Sequence, residues 1–441
     1  MASTRLTRTA GTSTLATKYT LSMWIKRSKL SSEMNLIGVS SGNTIELIKF
    51  NADNKLYWYN RDASSNAAEN ATSNVFRDTS AWYHLVFSYD STENLAANQR
   101  KFYINGVNQT WTSANAVQSN AVAGMNLAGA VRNIGAESSP SNYFDGSMTH
   151  IHFIDGTVYT PTSFGEVDST SGIWKAKSSA SVTYGNNGFF LKFANSGAMG
   201  TDSSGKSNNF TVNGTLTQNI DTPDNNFATM NPLDNYWQGG TFSNGNNTVV
   251  TGNSSYARNS STIGMSTGKW YSEYKVGSIT GSGGIYIGIT GDLATAASGN
   301  TGNSAFSYAY DSDGTKHFNG SASSFGDSYT TGDIIGVALD TTNNKLWWSK
   351  NGVWQASGDP SNNSNPAYTV VASSLTTIGA YFWSFSDNNN GEYFTCNCNF
   401  GNGKFGTTAV SSAGTNASGN GIFEYDVPTG YTALSTKGLN S

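Results

Sequence analysis

The chain has 441 residues and a formal net charge of −4 at pH 7, with 12% charged and 12% aromatic residues. A chain of this length exceeds what one hydrophobic core usually organises, so two domains with connecting segments are expected. The mild acidity provides no attraction to phosphate backbones or anionic lipids, and no apolar run approaches the roughly 18–20 residues of a membrane span. We therefore predict no nucleic-acid partner and no membrane insertion.

The first region with periodic apolar residues runs from about 19 to 164. Alternate positions from Tyr83 to Tyr89 are large and apolar, which is typical of a strand with one face on a core. Turn signals such as Asp145-Gly146 separate several such segments, and helical periodicity is limited to a turn or two around 94–99. Many short strands joined by tight turns predict a β-sandwich or barrel.

An Asn-Gly pair between aromatic-rich runs occurs twice, at residues 105–106 and 351–352. A type I′ turn needs positive φ at both central residues, which Asn and Gly tolerate, so each pair predicts a tight β-hairpin. A similar Asp-Ser/Thr-Thr turn precedes each hairpin, at residues 90–92 and 340–342. The repetition predicts two all-β domains.

The stretch between the two periodic regions is rich in Gly, Ser and Asn. Its one clear apolar island is 189–193, so residues 167–236 are predicted to be a connector with short strands and little core of its own. Residues 407–441 are predicted to be a loose C-terminal tail. The predicted domains are therefore 1–166 and 237–406.

Cys396 and Cys398 are the two cysteines, and they alternate with Phe394 and Phe400 along one face of a predicted strand. Free cysteines in such positions behave as small buried hydrophobic residues. No second Cys or His cluster completes a metal site, so we predict two reduced core thiols. Structural or hydrogen-bonding roles are predicted for the four histidines, His84, His150, His152 and His317.

Short motifs in both periodic regions resemble those of known β-sandwich families. The first region resembles a laminin-G-like, concanavalin-type domain, on Leu21–Lys26, Trp82–Val86, Phe102–Gly106, Asn133–Gly135 and Phe144–Gly146. The second region resembles a SPRY domain, on Gly268–Glu273, Tyr286–Ile289, Gly332–Asp340, Lys350–Gly352 and Asn399–Gly401. The resemblance implies an all-β chain of two concanavalin-type jelly-roll β-sandwich domains joined by an irregular connector.

Several other phrases resemble those of virion and tail proteins of marine tailed phages. They lie at residues 152–156, 160–166, 202–205, 208–212, 221–223 and 231–233. This resemblance implies a structural or appendage protein of a virion. It would be assembled in the host cytoplasm and located on the particle exterior or tail.

The resemblance leaves two functions open. One is adhesion, in which the sandwich domains bind host-surface glycans or a neighbouring virion protein. The alternative is a purely architectural decoration or connector subunit of capsid or tail. In both cases the partners include other virion proteins, and a homo-oligomer is expected because appendages repeat around symmetry axes.

Two motifs bear on catalysis. Residues 200–207 match the P-loop pattern, which needs a following helix to hold phosphates, but residues 208–214 are poor helix formers. Concanavalin-type sandwiches include glycoside hydrolases with carboxylates at alternate strand positions, and Glu166 and Asp168 begin such an alternation. Because Thr170 occupies the next position, a glycan-degrading enzyme is the least favoured function, and we predict no enzymatic activity.

No cofactor is predicted. The acidic residues of Asp311–Gly314 are similar to those of a calcium-binding loop, but the Gly comes two positions too early for an EF-hand. A tight turn accounts for this motif. Laminin-G relatives often bind one calcium ion. The resemblance therefore leaves a single weak calcium site open.

Tryptophans are the remaining candidates for ligand binding. Trp347 and Trp348 are adjacent on a predicted strand and must point to opposite faces, so one is expected in the core and the other on the surface. An exposed indole can stack on the apolar face of a sugar. Trp58, Trp111, Trp347 and Trp354 are the predicted ligand-binding residues, with aromatic core packing as the alternative for each.

Overall fold

A computed structural model of the chain describes residues 4–113, 115–169, 172–234, 240–252, 257–279, 283–292, 299–387 and 393–440. The chain divides into two compact units, residues 1–218 and 219–441. Nearly all of the regular secondary structure described in both units is β-strand, which confirms the all-β prediction. Among the described residues, the helices are too short and too polar to cross a bilayer.

Unit 1 is built from short strands joined by turns. Its strands are β1 (Arg5–Thr9), β2 (Lys18–Arg27), β3 (Met34–Ser41), β4 (Thr44–Phe50), β5 (Lys55–Arg61), β6 (Ala67–Val75), β7 (Trp82–Asp90), β8 (Arg100–Ile104), β9 (Val107–Gln109), β10 (Trp111–Ser113), β11 (Val131–Ile134), β12 (Gly146–Asp155), β13 (Gly165–Val167), β14 (Trp174–Ala176), β15 (Phe189–Leu191) and β16 (Thr211–Asn213). One helical turn, α1 (Ala96–Gln99), lies where the sequence predicted it. Two 3₁₀ turns lie at Gly124–Asn126 and Pro161–Ser163.

Two sheets enclose the core of unit 1. The larger has the order β10-β6-β5-β4-β3-β11-β1-β16 and the smaller β15-β12-β2-β7-β8-β9. Between them lie fully buried side chains from both sheets, including Tyr19, Trp58, Phe87 and Phe153. Removing each such side chain from water contributes about 1.5–3 kcal/mol. Burial on this scale explains why these residues alternate along their strands.

Unit 2 repeats this architecture. Its strands are β17 (Thr241–Ser243), β18 (Thr248–Val250), β19 (Arg258–Ser260), β20 (Lys269–Ile279), β21 (Ile285–Thr290), β22 (Ser307–Asp311), β23 (Thr315–Phe318), β24 (Ser321–Ser324), β25 (Ile334–Asp340), β26 (Lys345–Lys350), β27 (Val353–Trp354), β28 (Tyr368–Thr369), β29 (Phe382–Asp387), β30 (Phe394–Asn399), β31 (Lys404–Phe405), β32 (Thr408–Ala409) and β33 (Thr432–Ala433). Its 3₁₀ turns are Gln355–Ser357, Ser373–Leu375 and Gly438–Asn440.

The two main sheets of unit 2 have the orders β17-β18-β30-β20-β25-β26-β27 and β19-β29-β21-β22-β23-β24. In addition, β28 pairs with β26 and β33 pairs in parallel with β20. Trp348, Trp383 and Tyr274 are fully buried between the sheets. Cys396 and Cys398 are free and buried in the same core, as predicted.

Both predicted Asn-Gly hairpins are present. The φ angles are 47° and 84° at residues 105–106 and 50° and 81° at residues 351–352, as a type I′ turn requires. In each turn the asparagine Oδ1 accepts a hydrogen bond from a strand N–H, that of His84 at 2.8 Å and that of Ile334 at 2.9 Å. The turns join β8 to β9 and β26 to β27.

The prediction of a connector at residues 167–236 is wrong for its first part. Strand β15 pairs with β12, and β16 pairs with β1, so both strands extend the sheets of unit 1. Phe189, Leu191 and Phe210 are buried in its core. The boundary between the two compact units lies between residues 218 and 219 of the chain. The predicted start of the second domain, at Trp237, lies outside the described residues.

A segment that spans the predicted boundary at residues 166–167 covers the outer face of the smaller sheet of unit 1. We call residues 157–187, described except for 170–171, the first covering segment. Its Phe164 packs with Val86 and Ile154, and its Trp174 packs with Trp24. The face of β2, β7 and β12 that points away from the core is therefore shielded from water.

The prediction of a loose tail at residues 407–441 is also wrong. Residues 407–440, the second covering segment, pack on the outer face of the larger sheet of unit 2 through Phe423, Val427 and Tyr431. These side chains are buried with Tyr271 and Trp347 of the sheet. Such a segment has no visible periodicity because isolated aromatic anchors, separated by Gly, Ser and Asn, attach it.

Candidate functional site

The structure buries two of the four predicted ligand-binding tryptophans. Trp58 is 0% exposed and its Nε1 donates a hydrogen bond to Glu46 at 3.0 Å. Trp347 is 1% exposed and its Nε1 donates to the carbonyl of Ser364 at 2.8 Å. A ring that is fully enclosed has no free face for a sugar, so the aromatic core alternative applies to both residues.

The expectation that Trp347 or Trp348 would be exposed is wrong. Their side chains do point to opposite faces, since Trp348 lies in the core between the sheets and Trp347 lies on the outer face. The second covering segment buries that outer face. The sequence rule for strand alternation held, but the assumption that the outer face was bare did not.

Trp111 is half-buried and packs as part of unit 1. Its ring stacks on Phe102 with a centroid separation of 5.4 Å, and its Nε1 donates to the carbonyl of Arg100 at 2.8 Å. With one ring face against Phe102 and its polar atom satisfied, Trp111 behaves as the edge of the core.

Trp354 is the predicted residue that lies in an open cavity. A groove of about 570 Å³ runs between residues 324–327 and residues 353–357. Trp354 is half-buried there, and its ring approaches Tyr271 edge-on with a centroid separation of 6.3 Å. Val353 beside it is 66% exposed. We call this cavity the Trp354 groove.

Two buried side chains fix the wall of the groove opposite Trp354. Gln355 accepts a hydrogen bond from the N–H of Asp327 at 2.8 Å and donates one to the carbonyl of Val353 at 3.0 Å. Tyr310 donates its hydroxyl hydrogen to the carbonyl of Asp327. Gly326 allows this close packing, since a Cβ there would lie 2.6 Å from Gln355 Oε1. The backbone of Asp327 is therefore held on both sides.

The floor of the groove contains strained backbone. Ala356 and Ser357 are consecutive residues with φ of 52° and 56°. The left-handed region costs a residue other than glycine roughly 1–2 kcal/mol. Strain of this kind concentrates at sites of function, where surrounding contacts enforce it.

The Trp354 groove offers an aromatic ring, an exposed carboxylate and strained backbone in one rigid frame. Asp327 is exposed while its backbone is fixed. Aromatic rings bind apolar faces, and carboxylates accept hydrogen bonds from hydroxyls. Such a set can bind a polar ligand with a flat apolar face. Sequence reasoning identified Trp354 but missed Asp327 and Gln355.

A second cavity, of about 550 Å³, lies in unit 2 beside the second covering segment. Lys269, Trp270 and Tyr431 line it. Lys269 is already paired with Asp340 at 3.2 Å, and Trp270 is 2% exposed. The lysine and the indole of this cavity are therefore already engaged within unit 2.

A buried carboxylate fastens the second covering segment. Glu273 on β20 accepts the backbone N–H groups of Glu424 and Tyr425, both at 2.8 Å. Tyr271 and Asn399 donate further hydrogen bonds to it, at 3.2 and 3.3 Å. Burial raises the pKa of Glu273 to about 7, although these hydrogen bonds oppose the rise.

A neutral histidine fastens the first covering segment. His84 lies between the rings of Trp24 and Trp174, with centroid separations of 4.8 and 5.9 Å. Trp174 Nε1 donates to His84 Nδ1 at 2.9 Å, so the ring proton is on Nε2, 2.8 Å from Ser22 Oγ. Burial lowers the pKa of His84 to about 3, and His150 contributes in the same direction.

The acidic pair that might have suggested hydrolysis has a structural role. Lys175 lies 3.9 Å from Glu166 and 2.8 Å from Asp168, across the two-stranded sheet β13–β14. The P-loop-like phrase forms a turn in which Asp202 accepts the backbone N–H groups of Ser204 and Asn208 at 2.8 Å. Strand β16 follows it, where nucleotide binding would need a helix.

Within the part of the chain that the structure describes, no group of three or more His, Cys, Asp or Glu side chains is placed to hold a metal ion. Asp311 is instead 3.4 Å from His317, and Asp313 accepts the N–H of Thr315 at 2.8 Å.

Two family models match the chain. The model of the concanavalin A-like lectin/glucanases superfamily matches residues 3–161, and that of the SPRY domain matches residues 269–395. The chain therefore contains a concanavalin-like domain in unit 1 and a SPRY domain in unit 2, as the sequence motifs indicated. The models end before most of the first covering segment and all of the second.

Several solved structures are similar to parts of the chain. The SPRY domain of human HERC1 is 16% identical, covers 38% of this chain and 96% of its own, and has a TM-score of 0.30. A heptameric SAP-like pentraxin from Limulus polyphemus is 14% identical, with coverages of 36% and 73% and a TM-score of 0.28. A second human SPRY domain is 16% identical, with coverages of 34% and 91% and a TM-score of 0.25. No curated protein matches the chain.

Proposed function

We propose that this chain is a non-enzymatic adhesion protein of a tailed-phage particle, and that its SPRY domain binds host-surface glycans in the Trp354 groove. The observation that carries the proposal is the groove itself. The partly buried Trp354 lines the groove together with the exposed Asp327, whose backbone is held by Gln355 and Tyr310. Rigid frames of this kind lose little entropy when a ligand binds.

Domain type supports a binding role. Concanavalin-like and SPRY domains are commonly binding and adhesion modules, and both are present. The carboxylates nearest to a hydrolase pattern, Glu166 and Asp168, are both paired with Lys175. The proposal includes no cofactor and no nucleic-acid or membrane partner.

The phage assignment rests on the resemblance of residues 152–233 to virion and tail proteins. The proposal includes a position on the particle exterior or tail, in a homo-oligomer with other virion proteins as neighbours. A surface with few charges and many Ser, Thr and Asn side chains suits such a position.

A glycan array with the full chain tests the glycan-binding part. We expect at least one host-type glycan to bind, and Trp354→Ala to weaken that binding about tenfold or more, since each stacked ring contributes of order 1 kcal/mol or more. Trp354→Phe should retain most of the affinity because it keeps an aromatic face. Leu375→Ala, at an apolar residue that is 68% exposed in the same unit, is the matched control and should change nothing. Binding that ignores the Trp354→Ala change would reject the groove.

One observation favours the architectural alternative. Strand β24 ends the smaller sheet of unit 2, and its four residues, Ser321–Ser324, are all exposed and carry neither charge nor proline. Bare edges of this kind accept a strand from another chain. Microscopy of the particle separates the two functions, because a distal position supports adhesion and a subunit enclosed by neighbours supports architecture.

A further inference from the structure

We infer that Asp327 determines the charge class of the glycan, so that the Trp354 groove accepts neutral and amino-sugar glycans and rejects acidic ones. This inference rests on the proposed glycan binding. It adds the ligand class and the residue that selects it.

The backbone of Asp327 is held on both of its polar groups. The N–H is held by Gln355 at 2.8 Å, and the carbonyl accepts the hydroxyl of Tyr310. Gln355 is itself buried and bonded to Val353 at 3.0 Å, so it ties both walls of the groove together. The backbone of Asp327 is therefore held at the groove wall, and its side chain is exposed there.

Lys350 does not neutralise the charge of Asp327, because its ammonium group contacts other residues. Lys350 donates to the carbonyl of Ser328 at 2.7 Å and lies 3.4 Å from Asp333. Asp333 also accepts hydrogen bonds from Thr330 and Asn351, which hold it beside Lys350. Among the residues that line the groove, 324–327 and 353–357, Asp327 alone carries a charge, so the lining itself is negative.

Each class of sugar meets this charge differently. A neutral sugar donates hydroxyl hydrogens to the carboxylate. An amino sugar adds a charge-assisted hydrogen bond, which is roughly twice as strong as a neutral one. A uronic acid brings a second carboxylate to the same wall, and like charges a few ångströms apart repel. The expected order of affinity is amino, then neutral, then acidic.

Three β1,4-linked hexamers serve as probes for the full chain: chitohexaose, N-acetylchitohexaose and a mannuronate hexamer. Titration calorimetry at low ionic strength should give an affinity for chitohexaose at least about tenfold above that for the mannuronate hexamer. Asp327→Asn should shrink that ratio to near one while leaving N-acetylchitohexaose within about threefold.

A charge-matched control separates a local effect from a global one. Glu93→Gln changes the net charge equally, at an exposed residue of unit 1, and should leave all three affinities unchanged. Circular dichroism and the thermal midpoint of Asp327→Asn should match those of the parent, because the bonds from Gln355 and Tyr310 are to the backbone.

The outcomes distinguish this inference from the proposed function. Mannuronate binding equal to or above that of chitohexaose, or an unchanged ratio in Asp327→Asn, overturns the inference while glycan binding at Trp354 stands. Binding of the probes that is insensitive to Trp354→Ala overturns the proposed site. No binding of any probe and an empty glycan array reject both.

Discussion

Units 1 and 2 can be compared strand by strand, because the order β15-β12-β2-β7-β8-β9 corresponds to β18-β30-β20-β25-β26-β27. Lys18 at the start of β2 pairs with Asp90 at 2.8 Å, and Lys269 at the start of β20 pairs with Asp340 at 3.2 Å. In both units the sheet holds a covering segment on its outer face. The sequence motifs repeat because the architecture repeats.

The covering segments also meet the repeated hairpins in the same way. A Cβ at Gly106 would lie 3.0 Å from the ring of Trp174, and a Cβ at Gly352 would lie 2.6 Å from the ring of Tyr425. In each unit an aromatic side chain of the covering segment thus lies on the glycine of the Asn-Gly turn. The glycines serve both the positive φ and this close approach.

The chemistry that fastens the two segments differs. Ser22 in unit 1 and Glu273 in unit 2 both lie four residues after the lysine at the start of the strand. Ser22 belongs to a neutral set with His84 and Trp174, whereas Glu273 binds two backbone N–H groups with a carboxyl group. One fold therefore supports the same contact by aromatic packing or by a buried acid, and the two should respond in opposite ways to pH.

The largest difference between the units should come from removing these strand residues. Glu273→Ala leaves several buried donors without an acceptor, so we expect a loss of about 3 kcal/mol in the attachment of residues 407–440. Ser22→Ala should cost about 1 kcal/mol or less in unit 1. Hydrogen exchange of the Glu424 and Tyr425 amides, and of the first covering segment, measures the two losses. Equal losses would contradict the comparison.

Removal of the aromatic anchor of unit 1 should have the next largest effect. Trp174→Ala removes a half-buried ring and should cost about 2 kcal/mol in the attachment of the first covering segment. It also exposes His84 to water, so its pKa should rise from about 3 towards the ordinary value near 6.5. An NMR titration of His84 measures this, and an unchanged pKa would show that Trp174 does not shield it.

The pH responses of the two attachments should have opposite signs. The pKa of Glu273 is raised to about 7, so the attached state holds a proton that the detached state loses above about pH 4.5, and attachment weakens as pH rises from 4.5 to 7. The pKa of His84 is lowered to about 3, so attachment in unit 1 weakens as pH falls from about 6.5 to 3.

Hydrogen exchange corrected for intrinsic rates measures both slopes, each expected to span a few kcal/mol at most, since one pKa unit corresponds to about 1.4 kcal/mol. Glu273→Gln should remove the slope in unit 2 and leave that in unit 1 unchanged. A slope that persists in Glu273→Gln would assign it to another group.

The smallest effects should come from the turn glycines. Gly106→Ala and Gly352→Ala both introduce a Cβ at positive φ, which costs about 1 kcal/mol. The closer contact at Gly352, 2.6 Å against 3.0 Å, should make its loss the larger of the two. Thermal unfolding midpoints measure the order, and the reverse order would indicate that Tyr425 moves aside more easily than Trp174.

Periodic features of this fold could be predicted from the sequence, and non-periodic ones could not. The β-sandwich class, both Asn-Gly hairpins and the buried Cys396 and Cys398 were predicted correctly, because each depends on neighbours within one strand or turn. The covering segments were missed because Trp174 and Tyr431 are single anchors in polar sequence. Their burial depends on a sheet formed far away in the chain.

The candidate site shows the same division between features that depend on near neighbours in the sequence and features that depend on distant residues. Trp354 was identified because it follows an Asn-Gly turn, which puts it at a sheet edge. Trp58 was assigned on aromatic character, and Trp347 on strand alternation with Trp348. Neither signal shows whether a ring is covered by another part of the chain. Asp327 was missed because its partner Gln355 lies 28 residues further along the chain. No local pattern links residues at that separation.

The second covering segment also affects how a soluble fragment of this protein should be designed. A recombinant piece that stopped at residue 406 would include the whole SPRY match, yet it would expose the indole of Trp347 and the ring of Tyr271 to water. An exposed apolar patch of this kind promotes aggregation. Expression of unit 2 by itself should therefore extend to residue 440.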